Sequence, residues 1–175
     1  MDMMSTRATI DILRFGYGET RIGTVLVAES DRGVAAILLG DDRPTLRRDL
    51  AEAFVAARLV EDGAGLAETL AKVVALVDAP HLGSSLPLDL RGSALELAVW
   101  EALREIPPGE TRSYGALAKM LPMTATAQDV GAACAANVLA VAIPCHRVVK
   151  ADGSISGYRW GVQRKRRLIN LEGVA

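Results

Sequence analysis

At 175 residues, half of them hydrophobic and 23% charged, the chain is long enough to bury a core and reads as one globular domain or two small ones. No apolar run approaches the roughly 18 residues needed to cross a bilayer. The opening Met1-Asp2-Met3-Met4-Ser5-Thr6 carries an acid and no apolar stretch, unlike a secretory leader, so a cytoplasmic protein is expected.

Two cysteines rule out a disulfide framework. His81 and His146 cannot complete a zinc cluster of familiar spacing with Cys134 and Cys145, and neither metal nor cofactor is expected. The formal net charge is only -1, but it is polarised. Acids gather early, at Asp41, Asp42, Asp49, Glu52, Glu61, Asp62 and Glu68. From Arg147 to Arg167 there are seven bases (Arg147, Lys150, Arg159, Arg164, Lys165, Arg166, Arg167) against one acid, Asp152. This pattern fits a basic face presented to phosphates, or the solvated side of a terminal helix.

Residues 8–39 have the pattern of a β-meander, with Asp31-Arg32-Gly33 as a hairpin turn. Pro44 suits a first helical turn, and Leu46, Leu50 and Phe54 follow at helical spacing. Leu66, Leu70, Val73, Val74 and Val77 form the stripe of a second helix. A Pro- and Gly-containing connection, 78–92, ends in a short strand near Leu88–Leu90, placing a boundary between domains 1–91 and 92–175.

Ser93 and Glu96 make a capping box for a helix with Leu97, Trp100 and Leu103 on its core face. Ser113 caps a short helix over 114–121. An alanine-rich helix over 127–136 follows and stops at Asn137, a residue that tolerates a left-handed cap. Two short helices and a tight turn outline a helix-turn-helix, and Gly131, Ala132, Ala133, Ala135 and Ala136 would let the second approach a groove closely. The fold class expected is α+β, with an N-terminal antiparallel sheet plus helices and a mainly helical, winged-helix-like C-terminal lobe.

Chemistry concentrates at Pro144-Cys145-His146-Arg147-Val148. A lone cysteine is commonly an inert apolar filler, as expected for Cys134; Trp100 and Trp160 are read as core residues on helix faces, and His81 as a solvated loop residue. Cys145 differs because imidazole can take its proton and nearby positive charge favours the nucleophilic thiolate. Adjacent strand residues point apart, so His146 reaches the sulfur only through a turn or a bridging water.

Ile143-Pro144-Cys145-His146-Arg147-Val148, with Asn137 before it, Ser113-Tyr114 upstream and Gly153-Ser154-Ile155-Ser156-Gly157-Tyr158-Arg159-Trp160-Gly161 and Leu171-Glu172-Gly173 after it, closely resembles the O6-alkylguanine-DNA alkyltransferase family. The match runs from about Ser93 to Glu172, while the first 90 residues match loosely as the family's variable, ribonuclease H-like lobe. The resemblance implies irreversible transfer of an alkyl group from O6 of guanine to Cys145, with O4 of thymine as a second candidate position. His146 would be the base through a water, Glu172 would orient the imidazole, Asn137 would brace the turn, and Tyr114 would donate to guanine N3. Tyr158 would form one wall of the substrate pocket, backbone groups around Cys145, Val148 and Arg159 would read the edge of the base, and Ser113, Gln128, Ala135 and Arg147 would face double-stranded DNA, with the base turned out of the stack. A monomer is implied.

One departure stands out. Family members usually carry an arginine at the start of the second helix, where this chain has Gln128 followed by Asp129; no arginine or lysine lies between Met120 and Asn137. Weakened duplex binding or base extrusion is therefore expected. The competing readings are a turning-over thiol hydrolase, a non-catalytic binder of alkylated DNA, and a fragment of an Ada-type transcription regulator.

Overall fold

The computed structural model describes residues 10–173. The opening Met1–Thr6 segment, residues 8 and 9 of the expected meander, and residues 174 and 175 lie outside the described residues. The N-terminal half is built on a four-stranded sheet. β1 (Ile12–Thr20), β2 (Gly23–Ser30) and β3 (Gly33–Gly40) run antiparallel, and β4 (Arg58–Glu61) adds in parallel beside β1, giving the order β3-β2-β1-β4. The Asp31-Arg32-Gly33 turn forms as expected. At Gly33 φ is +143°, and a Cβ there would lie 2.6 Å from the Pro87 carbonyl oxygen, so the turn and the close crossing both need glycine.

Two helices cover this sheet. In α1 (Arg43–Ala53), Asp42 caps by accepting from the Thr45 backbone NH at 2.8 Å, and Leu46 and Leu50 are buried. Phe54 falls just past the helix as its C-cap instead of extending its core stripe. In α2 (Ala67–Asp78), Val73, Leu76 and Val77 are buried. The short strand expected near Leu88–Leu90 reduces to one bridge, Leu88 to Val34.

The C-terminal half is helical: α3 (Ala94–Arg104), α4 (Tyr114–Met120), α5 (Ala127–Ala136) and α6 (Val162–Leu171) surround a two-residue parallel pair, β5 (Arg112–Ser113) with β6 (Val148–Val149). The Ser93–Glu96 capping box forms at α3, and the Trp100 indole NH donates to the Ala133 carbonyl at 2.9 Å, tying α3 to α5. Thr126 and Asp129 make a second capping box at α5, which gives the acid beside Gln128 a structural use. Asn137 ends α5 in extended backbone (φ -67°, ψ 124°), not in the left-handed cap expected of it. Trp160 is buried as expected, but in the turn before α6 and not on a helix. Among the described residues no helix is long and apolar enough to cross a membrane.

Among the described residues, two sets of hydrogen bonds join the halves. The outer edge of β3 pairs with the chain after α5: Ile37 NH donates to Val138 O at 2.8 Å, and Ala140 NH to Ile37 O at 3.0 Å. Arg164 of α6 donates through Nε to Ile22 O (2.7 Å), through one terminal nitrogen to Trp160 O (3.1 Å) and through the other to Asp41 (2.6 Å). The two carbonyls are the important partners, because Asp41 is 90% exposed and its ion pair is screened by water. Arg164→Met is expected to lower the unfolding free energy by about 1–3 kcal/mol, read from urea midpoints, whereas Asp41→Asn costs well under about 1 kcal/mol. Equal losses in the two variants would remove the carbonyl clamp from the account.

Candidate active site

The segment Leu139–Arg147 is folded into tight turns that place Cys145 at its end. Ala142 NH bonds Ala140 O at 2.8 Å around Val141, whose φ of 68° is unusual for a buried β-branched residue and marks a strained turn. Cys145 NH bonds Ile143 O at 2.8 Å around Pro144 (φ -80°, ψ 59°), an inverse γ-turn that proline favours by fixing φ. A 3-10 turn, Cys145–Arg147, then leads into β6.

Asn137 braces these turns from within. Its Nδ2 donates to Ile143 O (3.0 Å) and to Cys145 Sγ (3.2 Å), while its Oδ1 accepts from Leu139 NH (2.9 Å). Cys145 is 4% exposed and faces a cavity of about 360 Å³ lined by Tyr114, Gly131, Cys134, Ala135, Gly157, Tyr158 and Arg159. Burial pushes the Cys145 thiol up to about 11, only partly opposed by the Asn137 hydrogen bond and by the positive charges of Lys165 and Arg159. At neutral pH the resting sulfur is therefore a thiol. Nearby charge alone does not make it a thiolate, contrary to the sequence reading.

Behind the cysteine lies a buried carboxylate. Glu172, at the C-cap of α6, bonds His146 Nε2, accepts from Arg147 Nε at 2.9 and 3.1 Å, and accepts from Gly109 NH at 3.1 Å. Burial alone would raise its carboxyl, but the His146 and Arg147 hydrogen bonds outweigh it and hold the group at about 2. The imidazole is fully buried and pushed down by that burial, against the opposing pull of Glu172, so it is neutral. An ionised carboxylate on Nε2 assigns the proton to that nitrogen and leaves Nδ1 as the lone-pair base. His146 Nδ1 is buried without a hydrogen-bond partner among the described residues, and no hydrogen bond joins it directly to Sγ.

The structure thus brings Cys145, His146, Glu172, Asn137, Tyr114, Tyr158, Arg159 and Ala135 together. Two expectations need correction. Arg147, expected to face DNA, is buried in the ion pair with Glu172 and donates to Ile106 O at 2.7 Å, so its charge is already used. Val148, whose backbone was expected to read the edge of the base, is fully buried in β6 and is not among the residues lining the cavity. Cys134 packs against the core as expected and also opens onto the same cavity as Cys145; burial pushes its thiol up to about 12, which keeps it protonated. Ser113 caps α4 through its hydroxyl (Ala116 NH, 3.1 Å), whereas Gln128 and Ala135 lie on the exposed side of α5.

Sequence reasoning missed Lys165, taken as part of a basic face. It is fully buried, with its ammonium donating to Ser156 Oγ (3.1 Å) and Gly157 O (3.3 Å). The signal was spacing: Lys165, Leu168 and Glu172 recur at i, i+3 and i+7, and all three are buried.

Residues 94–174 match the family model described as 6-O-methylguanine DNA methyltransferase, DNA binding domain. The bifunctional transcriptional activator/DNA repair enzyme Ada of Escherichia coli K12 is 46% identical over 160 residues, which cover 91% of this chain and 45% of that protein. The chain thus spans about half the length of that relative. A methylated-DNA--protein-cysteine methyltransferase of Mycobacterium leprae is 41% identical over 118 residues, covering 65% of this chain and 68% of the relative. Among solved structures, Mycobacterium tuberculosis OGT in complex with DNA superposes with a TM-score of 0.74 at 30% identity, covering 92% of both chains.

Because the Glu172 carboxyl is depressed when folded, its stabilisation is present above its ordinary value of 4.5 and is lost as pH falls toward about 2. Glu172→Gln is expected to cost about 3 kcal/mol at pH 7 by leaving Arg147 buried and unpaired. It should also flatten the acid limb of the stability curve. Parallel stability–pH curves for the two proteins between pH 4.5 and 2 would contradict this assignment.

Proposed function

The chain belongs to the 6-O-methylguanine DNA methyltransferase family, and from that premise we propose that it repairs DNA by moving an alkyl group from O6 of guanine onto Cys145, once per molecule. The observation that carries the reading is a buried thiol on the floor of a base-sized cavity, braced by Asn137 and backed by a neutral imidazole. A bridging water carries the thiol proton to His146 Nδ1 as Sγ attacks the alkyl carbon. The C–S bond forms while the C–O6 bond breaks. The electron pair passes into the purine, whose N3 accepts a proton from Tyr114. A thioether has no route back to thiol here, so the stoichiometry is one.

A purine stacked in a duplex cannot reach a buried sulfur, so the nucleotide is everted into the cavity. The exposed side of α5, with Gln128, Ala132 and Ala135, offers a small-residue surface for close approach to the minor groove. The chain acts as a monomer on double-stranded DNA in the cytoplasm.

Incubation with an oligonucleotide containing O6-methylguanine should add one methyl per chain, about 14 Da by intact mass, and Cys145→Ala should abolish the gain. Repeated product release without mass gain would favour a hydrolase, and binding without mass gain a non-catalytic recognition protein. Gln128→Arg should tighten duplex binding by about fivefold through added charge and stacking. Unchanged affinity and transfer rate in that variant would show that position 128 does not limit engagement.

A further inference from the structure

Lys165 is a fully buried cation, yet among the described residues it has no carboxylate partner. Its ammonium spends its protons on the Ser156 hydroxyl and the Gly157 carbonyl, and lies 5.9 Å from the centre of the Tyr114 ring. Burying an ammonium without a counterion is costly, and replacing it with an apolar side chain would relieve that cost. Ser156, in turn, is hydrogen-bonded to the Tyr114 hydroxyl, and Tyr114 lines the cavity beside Cys145. The three groups form an unbroken line from a buried positive charge to the cavity wall.

We propose that Lys165 and Ser156 form a proton relay that feeds Tyr114, making the phenol the last member of a chain that neutralises the departing guanine. The proposal rests on the alkyl-transfer reading and deepens it. Because Lys165 donates to Ser156 Oγ, the proton of Ser156 is free for Tyr114 Oη, and the phenol proton is free for the base. Each donor polarises the next toward the cavity. As the C–O6 bond breaks, N3 takes the phenol proton, Ser156 returns one to the phenolate oxygen, and Lys165 returns one to Ser156.

The accounting closes. Tyr114 and Ser156 end as they began, Lys165 ends as a neutral amine, the thiol proton rests on His146, and guanine leaves uncharged. The titratable groups facing Lys165 are Tyr114 from α4, Cys134 from α5, and Cys145 and His146 from the 3-10 turn. None is an anion in the resting state. Burial lowers the ammonium below its ordinary value of 10.5, which brings it closer to a useful proton source. In the proposed roles Tyr114 touches substrate, whereas Ser156 and Lys165 act through it as positioning residues.

Ser156 is the best point to test, since it is only half-buried and its replacement leaves the cation and the phenol in place. Single-turnover transfer from the O6-methylguanine oligonucleotide is measured against pH for wild type, Ser156→Ala, Ser156→Thr, Tyr114→Phe and the Ser156→Ala/Tyr114→Phe double variant. Ser156→Ala is expected to slow transfer about tenfold or more, with recovery in Ser156→Thr, which keeps the hydroxyl. In the Tyr114→Phe background the same change should have no further effect, as befits two members of one chain. Wild-type rates should fall on the alkaline side as Lys165 loses its proton, and that limb should vanish in Ser156→Ala. If wild type transfers methyl but Ser156→Ala matches it, or slows the Tyr114→Phe protein by the same factor, the relay is wrong and the alkyl-transfer reading survives. If wild type takes up no methyl, both fall.

Discussion

The buried carboxylate of Glu172 is the constraint on which the arrangement around the cysteine depends. An ionised carboxyl removed from water is tolerable only when its oxygens are satisfied. It also sits at the C-terminal end of α6, where the helix dipole disfavours negative charge. Three donors from two segments compensate: the backbone NH of Gly109 after the Pro107-Pro108 turn, and the side chains of His146 and Arg147 in the turn that carries Cys145. Since Arg147 also holds the Ile106 carbonyl, one charge aligns the end of α3, the nucleophile turn and the end of α6. It dictates the imidazole tautomer as well, so the lone pair on Nδ1 is a consequence of packing around Glu172.

With the base fixed, the thiol can be held in its unreactive form. Burial raises Cys145 to about 11, and an uncharged sulfur resists adventitious alkylation and oxidation. Reactivity then has to be created when a substrate fills the cavity and offers the displaced charge somewhere to go. On the proposed reading the neutral imidazole accepts the proton on one side, and Tyr114 supplies one on the other. Cys134, raised further by burial, shares the cavity without competing as a nucleophile.

What could be read from the chain beforehand was whatever local interactions decide. The β-meander, its Asp31-Arg32-Gly33 turn, the Ser93–Glu96 capping box and the bounds of α5 follow from hairpin chemistry, side-chain caps and periodicity, all of which act within a few residues. β4 escaped because four largely exposed residues become a strand only by pairing with β1 more than 40 positions earlier. Asn137 was located correctly, and the family resemblance implied its bracing role, but residue type alone suggested a left-handed cap that does not form. Its side chain is committed to carbonyl, sulfur and amide partners, and the backbone adopts an extended cap to permit this. Formal charge was the least informative signal, because composition does not say which cations are consumed inside the fold.

On the proposed reading, the fate of these cations decides how the chain engages a duplex. Of the basic cluster after Cys145, Arg147 is neutralised by Glu172, Arg164 closes the contact between the two halves, and Lys165 is buried against Ser156. Lys150, Arg159, Arg166 and Arg167 stay exposed, and α5 contributes no cation at Gln128. With fewer counterions to release, phosphate attraction contributes less of the binding free energy than the sequence suggests. Shape must contribute more: the close approach allowed by Gly131, Ala132 and Ala135, and the seating of one everted base in the cavity before Cys145. A surface built this way discriminates by the ease with which a nucleotide leaves the stack. A weakly paired alkylated guanine leaves more readily than an intact one, so in the proposed function recognition and chemistry converge on the same lesion.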